Sequence, residues 1–319
     1  PAINLNPLIP RNPASSIKLL TTFVALDVLG PTYTWPTKLY ATGPIRDGVL
    51  DGDLVLQGHG DPFLVVEEFW KMLGDLRARG VQRITGDLVV DDSHFDVPDL
   101  DPGAFDGQPF RLYNVVPSAA LVNFKAIEFQ FLKAKDGKHI DIRMHPTMPN
   151  VKITNKLTVK QGKCAGYNYG IAMNVPEPAV ADHVIFSGAF PSACRSHTMH
   201  RTLLRPSTYA YSTFKRLWAH WGGTIEGGVR EGTAPPGRPL VVWSSRPLAE
   251  IIRPLNKWSN NVMTRLLLYS LAAAEFKPPY TKQQGIDVLR GYLRESGLDD
   301  SDLVIDNGSG LSRDTRVTS

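Results

Sequence analysis

The sequence has no long hydrophobic run and no strong excess of charge of one sign. No apolar stretch reaches the roughly 18 to 20 residues that a membrane-spanning helix needs, so no such helix is expected within these 319 residues. The net charge is +4, and lysine and arginine are scattered along the chain. This predicts a mildly basic surface and no nucleic-acid partner, with another polyanionic partner as the alternative.

The sequence also lacks the residue spacings that bind metal ions or phosphates. His197 and His200 are three residues apart, but no carboxylate or cysteine follows at ligand spacing. The segment 58–62 has neither the lysine nor the hydroxyl of a phosphate-binding loop, so it is interpreted as a turn after a strand over 53–57. No metal and no cofactor is therefore predicted.

A serine and a lysine three residues apart lie between Pro13 and an apolar segment. Ser15 and Lys18 come after Pro13, which favours a sharp entry into a helix, and precede the apolar segment 19–26. Residues at this spacing share one helix face, so the amine can hydrogen-bond the hydroxyl. Burial can lower the pKa of the amine until it accepts a proton. The segment therefore predicts a nucleophilic serine with its own base, at the buried start of a helix.

The same spacing occurs a second time. Ser212 and Lys215 lie within an amphipathic pattern over 209–221 that is typical of a packed helix. The pair is therefore interpreted as a structural part of that helix. The apolar positions of the pattern are Tyr211, Phe214, Leu217, Trp218 and Trp221.

The only Ser-x-Asn sequence of the chain is Ser259-Asn260-Asn261. It lies between a predicted helix over 247–253 and an apolar run over 262–274. On such a turn the hydroxyl can relay a proton, and the amide can hold a substrate carbonyl and the lysine. The alternative is a helix N-cap, for which serine and asparagine are favoured. Its combination with Ser15 and Lys18 favours the catalytic interpretation.

Five motifs follow one another along the chain. They are Pro-Ala-Ser-Ser-Ile-Lys-Leu-Leu-Thr-Thr (13–22), Gly-Asp-Leu-Val-Leu (52–56) with Gly-Asp-Pro (60–62), Gly-Asp-Leu-Val-Val-Asp (86–91), Ser-Asn-Asn (259–261) and Asn-Gly-Ser-Gly-Leu-Ser-Arg (307–313). In this order they resemble the class C low-molecular-mass penicillin-binding proteins. These are the D-alanyl-D-alanine carboxypeptidase/endopeptidases of the penicillin-binding protein 4 type, and the resemblance covers essentially the whole sequence.

The resemblance implies a serine acyl-transferase that acts on peptidoglycan stem peptides and is acylated by β-lactams. It implies that Ser15 is the nucleophile and Lys18 its base. Ser259 would then relay a proton, and Asn261 would contact a substrate amide. It further implies an exported, periplasmic protein, for which peripheral membrane or cell-wall association is an additional expectation.

The sequence has two cysteines, Cys164 and Cys194, in successive β-like segments that are separated by Pro176-Glu177-Pro178. A hairpin could join them as a disulfide in an exported protein, and two free thiols in a cytosolic protein are the alternative. The resemblance favours the disulfide.

One family motif does not occur in the sequence. This is the Lys-Thr-Gly or Lys-Ser-Gly motif, which in the family follows the Gly-Ser-Gly-Leu-Ser-Arg segment. We therefore expect an interior piece of a longer protein that lacks part of the oxyanion and carboxylate site. Two rival functions follow: a wall-binding or penicillin-sensing homologue without turnover, and a β-lactamase, which combines the same chemistry with fast deacylation.

The long separation of the two catalytic motifs predicts a domain that is assembled from both ends of the chain. The resemblance implies an α/β (α+β) fold, with a transpeptidase/β-lactamase-like domain over 1–35 and 245–319. Two largely β domains would be inserted, one over 36–117 with 200–244 and one over 118–199. The residue patterns predict two strands in 37–61, a helix over 66–79, a strand over 84–91, mainly strands over 121–186, and helices that begin at Tyr209, Pro247, Val262 and Thr281.

Overall fold

A computed structural model describes residues 9–164 and 170–318. Six α-helices lie in this part of the chain, and four of them come from the two ends of the sequence. None of the described helices combines the length and the hydrophobicity that a bilayer span requires. The helices are α1 (Ile17–Val28), α2 (Val66–Ala78), α3 (Pro206–His220), α4 (Leu248–Lys257), α5 (Asn261–Leu271) and α6 (Lys282–Glu295).

The described strands form five sheets, in the orders β15-β6-β4-β1-β16, β14-β5-β3-β2, β10-β12-β11, β13-β8-β9 and β17-β7. The strands are β1 (Pro36–Ala41), β2 (Ile45–Arg46), β3 (Val49–Leu50), β4 (Leu54–Gln57), β5 (Arg83–Ile84), β6 (Leu88–Asp91), β7 (Phe95–Asp96), β8 (Ala126–Lys133), β9 (Ile140–His145), β10 (Lys152–Lys160), β11 (Ile171–Asn174), β12 (His183–Pro191), β13 (Ser196–Thr202), β14 (Thr224–Ile225), β15 (Val229–Glu231), β16 (Val241–Ser244) and β17 (Tyr280–Thr281). The mixed α/β architecture is the one that the sequence predicts.

The helices from the two ends of the sequence share one core. α1 packs against α4, α5 and α6, and Val24, Leu255, Leu267 and Leu289 are buried together where they meet. Apolar burial of this kind is the main force that holds distant segments of a chain together. The start of α6 is fixed by a capping box in which the side chain of Thr281 accepts a hydrogen bond from a backbone amide. This assembly brings the two predicted catalytic segments into one half of the molecule.

The helix α1 is buried on one side only. The sequence predicts a buried start of this helix, but Leu19 and Phe23 are 63% and 59% exposed. These two residues are four positions apart and share a helix face. Val24 and Ala25, which point toward the helical core, are fully buried. The helix is therefore buried on its core-facing side, and the apolar face of Leu19 and Phe23 is open to solvent.

The five-stranded sheet carries helices on one face. β4 and β6 run parallel and α2 lies between them in the chain, as expected for a crossover connection. Phe69 of α2 and Phe214 of α3 are fully buried in the core below this sheet. Val55 and Val89 form a separate small cluster with Tyr40. Burial on both faces explains why β4 and β6 are continuous apolar runs rather than alternating ones.

The segment 126–202 forms two three-stranded sheets that pack against each other. Its first strand alternates between buried and partly exposed positions, and Ile127, Phe129 and Phe131 of β8 are fully buried. The rings of Phe129 and Phe131 meet Phe186 of β12 edge-on, with centroids 4.9 and 5.0 Å apart. Aromatic contacts of this geometry are favourable in addition to the area that they bury.

The two cysteines are joined. A disulfide links Cys164 to Cys194, and their Cα atoms are 4.8 Å apart. It connects the segment that follows β10 to the turn before β13. The disulfide expected from the resemblance is confirmed, and the alternative of two free thiols is wrong.

Three predicted elements differ from the structure. The strand expected over 84–91 is split, because the chain leaves one sheet after Ile84 and enters another at Leu88. The segment 37–61 contains the short hairpin of β2 and β3 in addition to the two longer strands. The helix expected over 247–253 continues through Pro254 to Lys257, because burial of Leu255 in the helical core outweighs the local cost of proline. The boundaries of the three domains stay a prediction.

Candidate active site

Ser15 lies on a tight turn that leads into α1. A 3-10 turn over Ala14–Ser16 precedes the helix, and Ala14 has a φ of 47°, which is uncommon for a residue with a side chain. Asn12 stabilises this turn, since its Oδ1 accepts a hydrogen bond from the Ala14 amide at 2.8 Å. Its Nδ2 donates to the Ser312 carbonyl at 2.9 Å. Ser15 itself is exposed, so the predicted burial of the hydroxyl is wrong, because the turn projects from the end of the helix.

Lys18, in contrast, is almost completely buried, with 2% of its surface exposed. Its Nζ lies 3.1 Å from Ser15 Oγ and 2.7 Å from Asn261 Oδ1, and it also contacts the carbonyl oxygen of Ser309. A carbonyl oxygen and an amide oxygen can only accept hydrogen bonds. In the neutral amine, these two oxygens therefore take both N–H groups, and the lone pair faces the serine hydroxyl.

The environment of Lys18 favours the neutral amine. Burial, together with the positive charge of Arg265, lowers the pKa of Lys18 from 10.5 to about 8. Arg265 lies one turn after Asn261 on α5 and is itself largely buried. Its Nη1 donates to the Val115 carbonyl at 3.2 Å, and its Nε has no hydrogen-bond partner among the described residues. The site therefore contains a second cation that opposes protonation of Lys18.

Asn261 is fixed in one orientation. Its Nδ2 donates to the Tyr113 carbonyl at 3.1 Å, while its Oδ1 accepts from Lys18. The N-cap of α5 is the neighbouring residue Asn260, whose Oδ1 accepts a hydrogen bond from the Met263 amide at 3.1 Å. The capping alternative is thus correct for Asn260, and it leaves the side chain of Asn261 in the site.

Ser259 occupies the turn between α4 and α5. Its φ of 51° is left-handed, a conformation that costs free energy for a residue with a side chain, and Ser259 is exposed. Within the described part of the chain, no hydrogen bond joins its hydroxyl to Ser15 or Lys18. The structure therefore brings Ser15, Lys18 and Asn261 into direct contact. Ser259, the fourth predicted residue, lies two residues before Asn261 in the sequence.

The segment Asn307–Arg313 supplies a contact to Lys18 that the sequence analysis did not predict. The carbonyl of Ser309 accepts from Lys18, and the carbonyl of Gly308 accepts from Thr21 Oγ1 at 2.8 Å. Gly310 has a φ of 79°, and a Cβ added there would lie 1.9 Å from the Ala14 carbonyl oxygen. Only glycine fits this close approach. The two glycines that flank Ser309 are the sequence feature that could have indicated this close approach.

A loop from the middle of the chain also reaches the site. Tyr113, which contacts Asn261, belongs to the segment 97–117, and its hydroxyl donates to Asp106 Oδ2 at 2.7 Å. This loop, α5 and the segment 306–314 line a cavity of about 310 Å³. Three cations, Arg265, Lys282 and Arg313, and the carboxylate of Asp306 are among its lining groups. No sequence pattern placed this loop beside the candidate catalytic residues.

A family model describes nearly the whole chain. The model of the D-Ala-D-Ala carboxypeptidase 3 (S13) family matches residues 3–319. The chain belongs to this family. The resemblance inferred from the five motifs is thereby confirmed.

Two curated S13 relatives are longer than this chain. The D-alanyl-D-alanine carboxypeptidase of an Actinomadura species is 29% identical over 319 residues, and the match covers 96% of this chain and 58% of that protein. The D-alanyl-D-alanine carboxypeptidase DacB of Haemophilus influenzae is 25% identical over 308 residues, with 95% of this chain and 63% of that protein covered. The chain thus spans about three fifths of the length of either relative.

Solved structures of similar fold include penicillin binding protein 4 (dacB) from Haemophilus influenzae. One structure matches with a TM-score of 0.83 at 23% identity, covering 99% of this chain and 69% of that chain. The same protein complexed with a β-lactam matches with a TM-score of 0.76, also at 23% identity, covering 99% and 68%. These likenesses confirm the predicted fold class.

The second serine–lysine pair does not form a comparable site in this S13 chain. Ser212 is buried, and its hydroxyl donates to the side-chain oxygen of Asn150. Lys215 is exposed, and its Nζ lies 3.4 Å from the Tyr211 hydroxyl and 5.6 Å from the centre of that ring. The two side chains point to different neighbours, as the packing interpretation predicted.

The two histidines considered as metal ligands lie on β13. Nε2 of His200 is 3.1 Å from Glu128 Oε2, a contact across neighbouring strands. Among the residues that the structure describes, no group of three or more His, Cys, Asp or Glu side chains is arranged to hold a metal ion.

Proposed function

We propose that this chain carries the serine acyl-transfer site of a D-Ala-D-Ala carboxypeptidase/endopeptidase that acts on peptidoglycan stem peptides. One observation carries the proposal: Lys18 Nζ lies 3.1 Å from Ser15 Oγ, and its other two contacts are oxygens that accept hydrogen bonds. Membership of the S13 family and the names of the two curated relatives support the substrate class.

In the first half of the reaction, Ser15 Oγ attacks the carbonyl carbon of the penultimate D-alanine, and its proton moves to Lys18 Nζ. Backbone amides hold the oxyanion, among them the Ser15 amide at the start of the helix. The carbon–nitrogen bond then breaks. The departing D-alanine takes up the proton, which Ser259 relays from Lys18.

In the second half, water attacks the ester on Ser15. Lys18 accepts a proton from the water, and the proton returns to Ser15 Oγ as the ester bond breaks. The products are the shortened stem peptide and the free enzyme. β-Lactams acylate the same oxygen, and the amine formed by ring opening stays attached to the acyl group.

Asn261 contacts the substrate amide in this scheme. An asparagine amide has two N–H groups and an oxygen with two lone pairs. One N–H is used by the Tyr113 carbonyl and one lone pair by Lys18. A second N–H and a second lone pair are therefore available to orient a peptide or β-lactam amide.

The disulfide between Cys164 and Cys194 supports an exported, periplasmic protein. Disulfides persist in oxidising compartments and are rare where thiols are kept reduced. Such a location agrees with a substrate in the cell wall.

The intact mass of the protein before and after incubation with benzylpenicillin tests the proposal. The unsubstituted chain is expected to gain one covalent adduct that stays attached. Ser15→Ala removes the nucleophile and should abolish the adduct. Ser212→Ala, the matched control at the second serine–lysine pair, should leave it unchanged.

Three results would contradict the proposal. They are an adduct on the Ser15→Ala variant, no adduct on the unsubstituted chain, and rapid release of hydrolysed penicillin. Rapid release would indicate a β-lactamase, whereas release of D-alanine from a peptide ending in D-Ala-D-Ala would support the carboxypeptidase.

A further inference from the structure

The strand β10 presents a row of lysines to solvent. Lys152, Lys156 and Lys160 are separated by four residues each, so the period of two places them on one face of the strand. All three are exposed. At about 3.3 Å per residue, successive lysines are about 13 Å apart along the strand. We call these three residues the lysine stripe.

The opposite face of β10 explains why the stripe points outward. Ile153, Leu157 and Val159 occupy the alternate positions and pack against the main core. A shift of register by one residue would bury the three lysines and expose these apolar side chains. The orientation of the stripe is therefore fixed by the hydrophobic pattern of the strand.

The sequence around the stripe has no negative charge. Between Asp141 and Glu177 there is no acidic residue, while five cations occur: Arg143, Lys152, Lys156, Lys160 and Lys163. The net charge of the whole chain is +4, so subtracting these five leaves −1 for the rest. This region therefore carries a positive charge larger than the net charge of the whole chain, although lysine and arginine also occur along the rest of the sequence.

The neighbouring strand adds no carboxylate to this face. In the parallel pairing of β10 with β12, Lys152 lies beside His183, Lys156 beside Ser187 and Lys160 beside Pro191. Thr154 and Thr158 lie between the lysines on β10. None of the ion pairs among the described residues involves the stripe.

Lysine on an edge strand has a simpler use, because charge prevents the edge from pairing with another chain. β10 is such an edge. Edge protection requires charge but neither an even spacing nor the removal of carboxylates from a whole region. An even line of cations is complementary in charge to an extended chain of anions.

We infer that the lysine stripe binds a linear phosphodiester polymer of the cell envelope. The stripe is one strand wide and about 26 Å long, which matches an extended polymer better than a broad membrane surface. None of the large exposed hydrophobic side chains of the described residues lies on β10, β11 or β12, so this face offers nothing to insert into a bilayer. The interaction is independent of the acyl-transfer chemistry.

Binding to immobilised poly(glycerol phosphate), measured over a range of NaCl concentrations, tests this inference. The unsubstituted chain should bind, and binding should weaken as salt rises, because each phosphate contact releases a counterion. The combined change Lys152→Gln, Lys156→Gln and Lys160→Gln should reduce affinity at least about tenfold and flatten the salt dependence. Replacing the same three residues by arginine should preserve binding.

The matched control removes three lysines outside the stripe: Lys135→Gln, Lys138→Gln and Lys277→Gln. All three positions are exposed, and the net charge changes by the same amount. This variant should keep its affinity within about twofold. Equal loss in the stripe and control variants would overturn the inference in favour of a net-charge effect. Binding to phosphatidylglycerol vesicles without binding to the polymer would also overturn it. Thermal unfolding of each variant shows whether it is folded.

Discussion

The chain contains two serine–lysine pairs of identical spacing, and only one of them forms a dyad. Lys18 is buried and lies 3.1 Å from Ser15 Oγ. Lys215 is exposed beside Tyr211, and Ser212 bonds to Asn150. In the first pair the lysine is buried and the serine is exposed, whereas in the second pair the reverse holds.

The difference lies in residues far away in the sequence. Lys18 is held by Asn261 and Ser309, which are 243 and 291 positions distant. Both supply oxygens that accept hydrogen bonds from its N–H groups, and both come from the far end of the chain. Spacing within a helix can bring an amine near a hydroxyl, but the protonation and direction of that amine depend on such long-range partners.

Among the changes that test the difference between the two pairs, removal of the Lys18 amine should have the largest effect on acylation. Lys18→Ala is expected to slow acylation by benzylpenicillin by about 10³-fold, because the proton of Ser15 then has no acceptor. The measurement is the rate of adduct formation by intact mass. Lys215→Ala should have the unsubstituted rate, and an equal loss in both variants would mean that the two pairs do not differ as described.

The loss of an orienting partner should cost less. Asn261→Ala removes the oxygen that accepts from Lys18 and the link to Tyr113, and acylation should fall by about 10²-fold. Asn150→Ala, which removes the partner of Ser212, serves as the control and should leave the acylation rate unchanged. A normal acylation rate for Asn261→Ala would exclude a role for this amide.

The close approach at Gly310 can be broken by one methyl group. Gly310→Ala would place its Cβ 1.9 Å from the Ala14 carbonyl oxygen at a φ of 79°. We expect a loss of about 2 kcal/mol in the free energy of unfolding and acylation at least about tenfold slower, because Ser309 must move. Gly291 in α6 has open space around it, and Gly291→Ala should stabilise by about 0.5 to 1 kcal/mol. An unchanged rate for Gly310→Ala would contradict the positioning role of this segment.

The electrostatic contribution of Arg265 should be smaller. Arg265→Gln removes the charge that lowers the pKa of Lys18, so that pKa should rise and less neutral amine should be present at pH 7. Acylation at that pH should slow by about threefold, and the acid limb of its pH profile should move to higher pH. Arg265→Lys keeps the charge and should restore the profile. A limb that moves to lower pH would contradict the assignment.

The smallest effect is expected at the second pair. Ser212→Ala removes a hydrogen bond to Asn150 and should lower the free energy of unfolding by about 1 kcal/mol. Denaturant titration measures this change. Acylation should be unaffected, and slower acylation would mean that the second pair is coupled to the site.

The sequence predicted those parts of the site that are local. Ser15 and Lys18 share a helical turn, and Ser259-Asn260-Asn261 lies between two amphipathic patterns, so both could be located from spacing and helix signals. The contacts of Ser309 and Tyr113 could not, because they depend on which segments pack together. The exposure of Ser15 was also missed, since hydrophobic periodicity does not indicate where a turn projects beyond its helix.

The same limit applies to the lysine stripe. The alternation of lysine and threonine in 152–160 is visible in the sequence. That β10 is an edge strand, and that its lysine face is the one turned to solvent, depends on its pairing with β12. A pattern of charges in the sequence therefore indicates a charged surface only when the order of the strands in the sheet is known.

The pH dependence of the acylation rate with benzylpenicillin tests the central claim, that Lys18 acts as a buried base with a lowered pKa. Because the neutral amine is the reactive form, the rate should rise with pH and level off above an apparent pKa of about 8. This limb should be lost in Lys18→Ala. A rate that does not depend on pH, or one that still rises toward pH 10.5, would contradict the account.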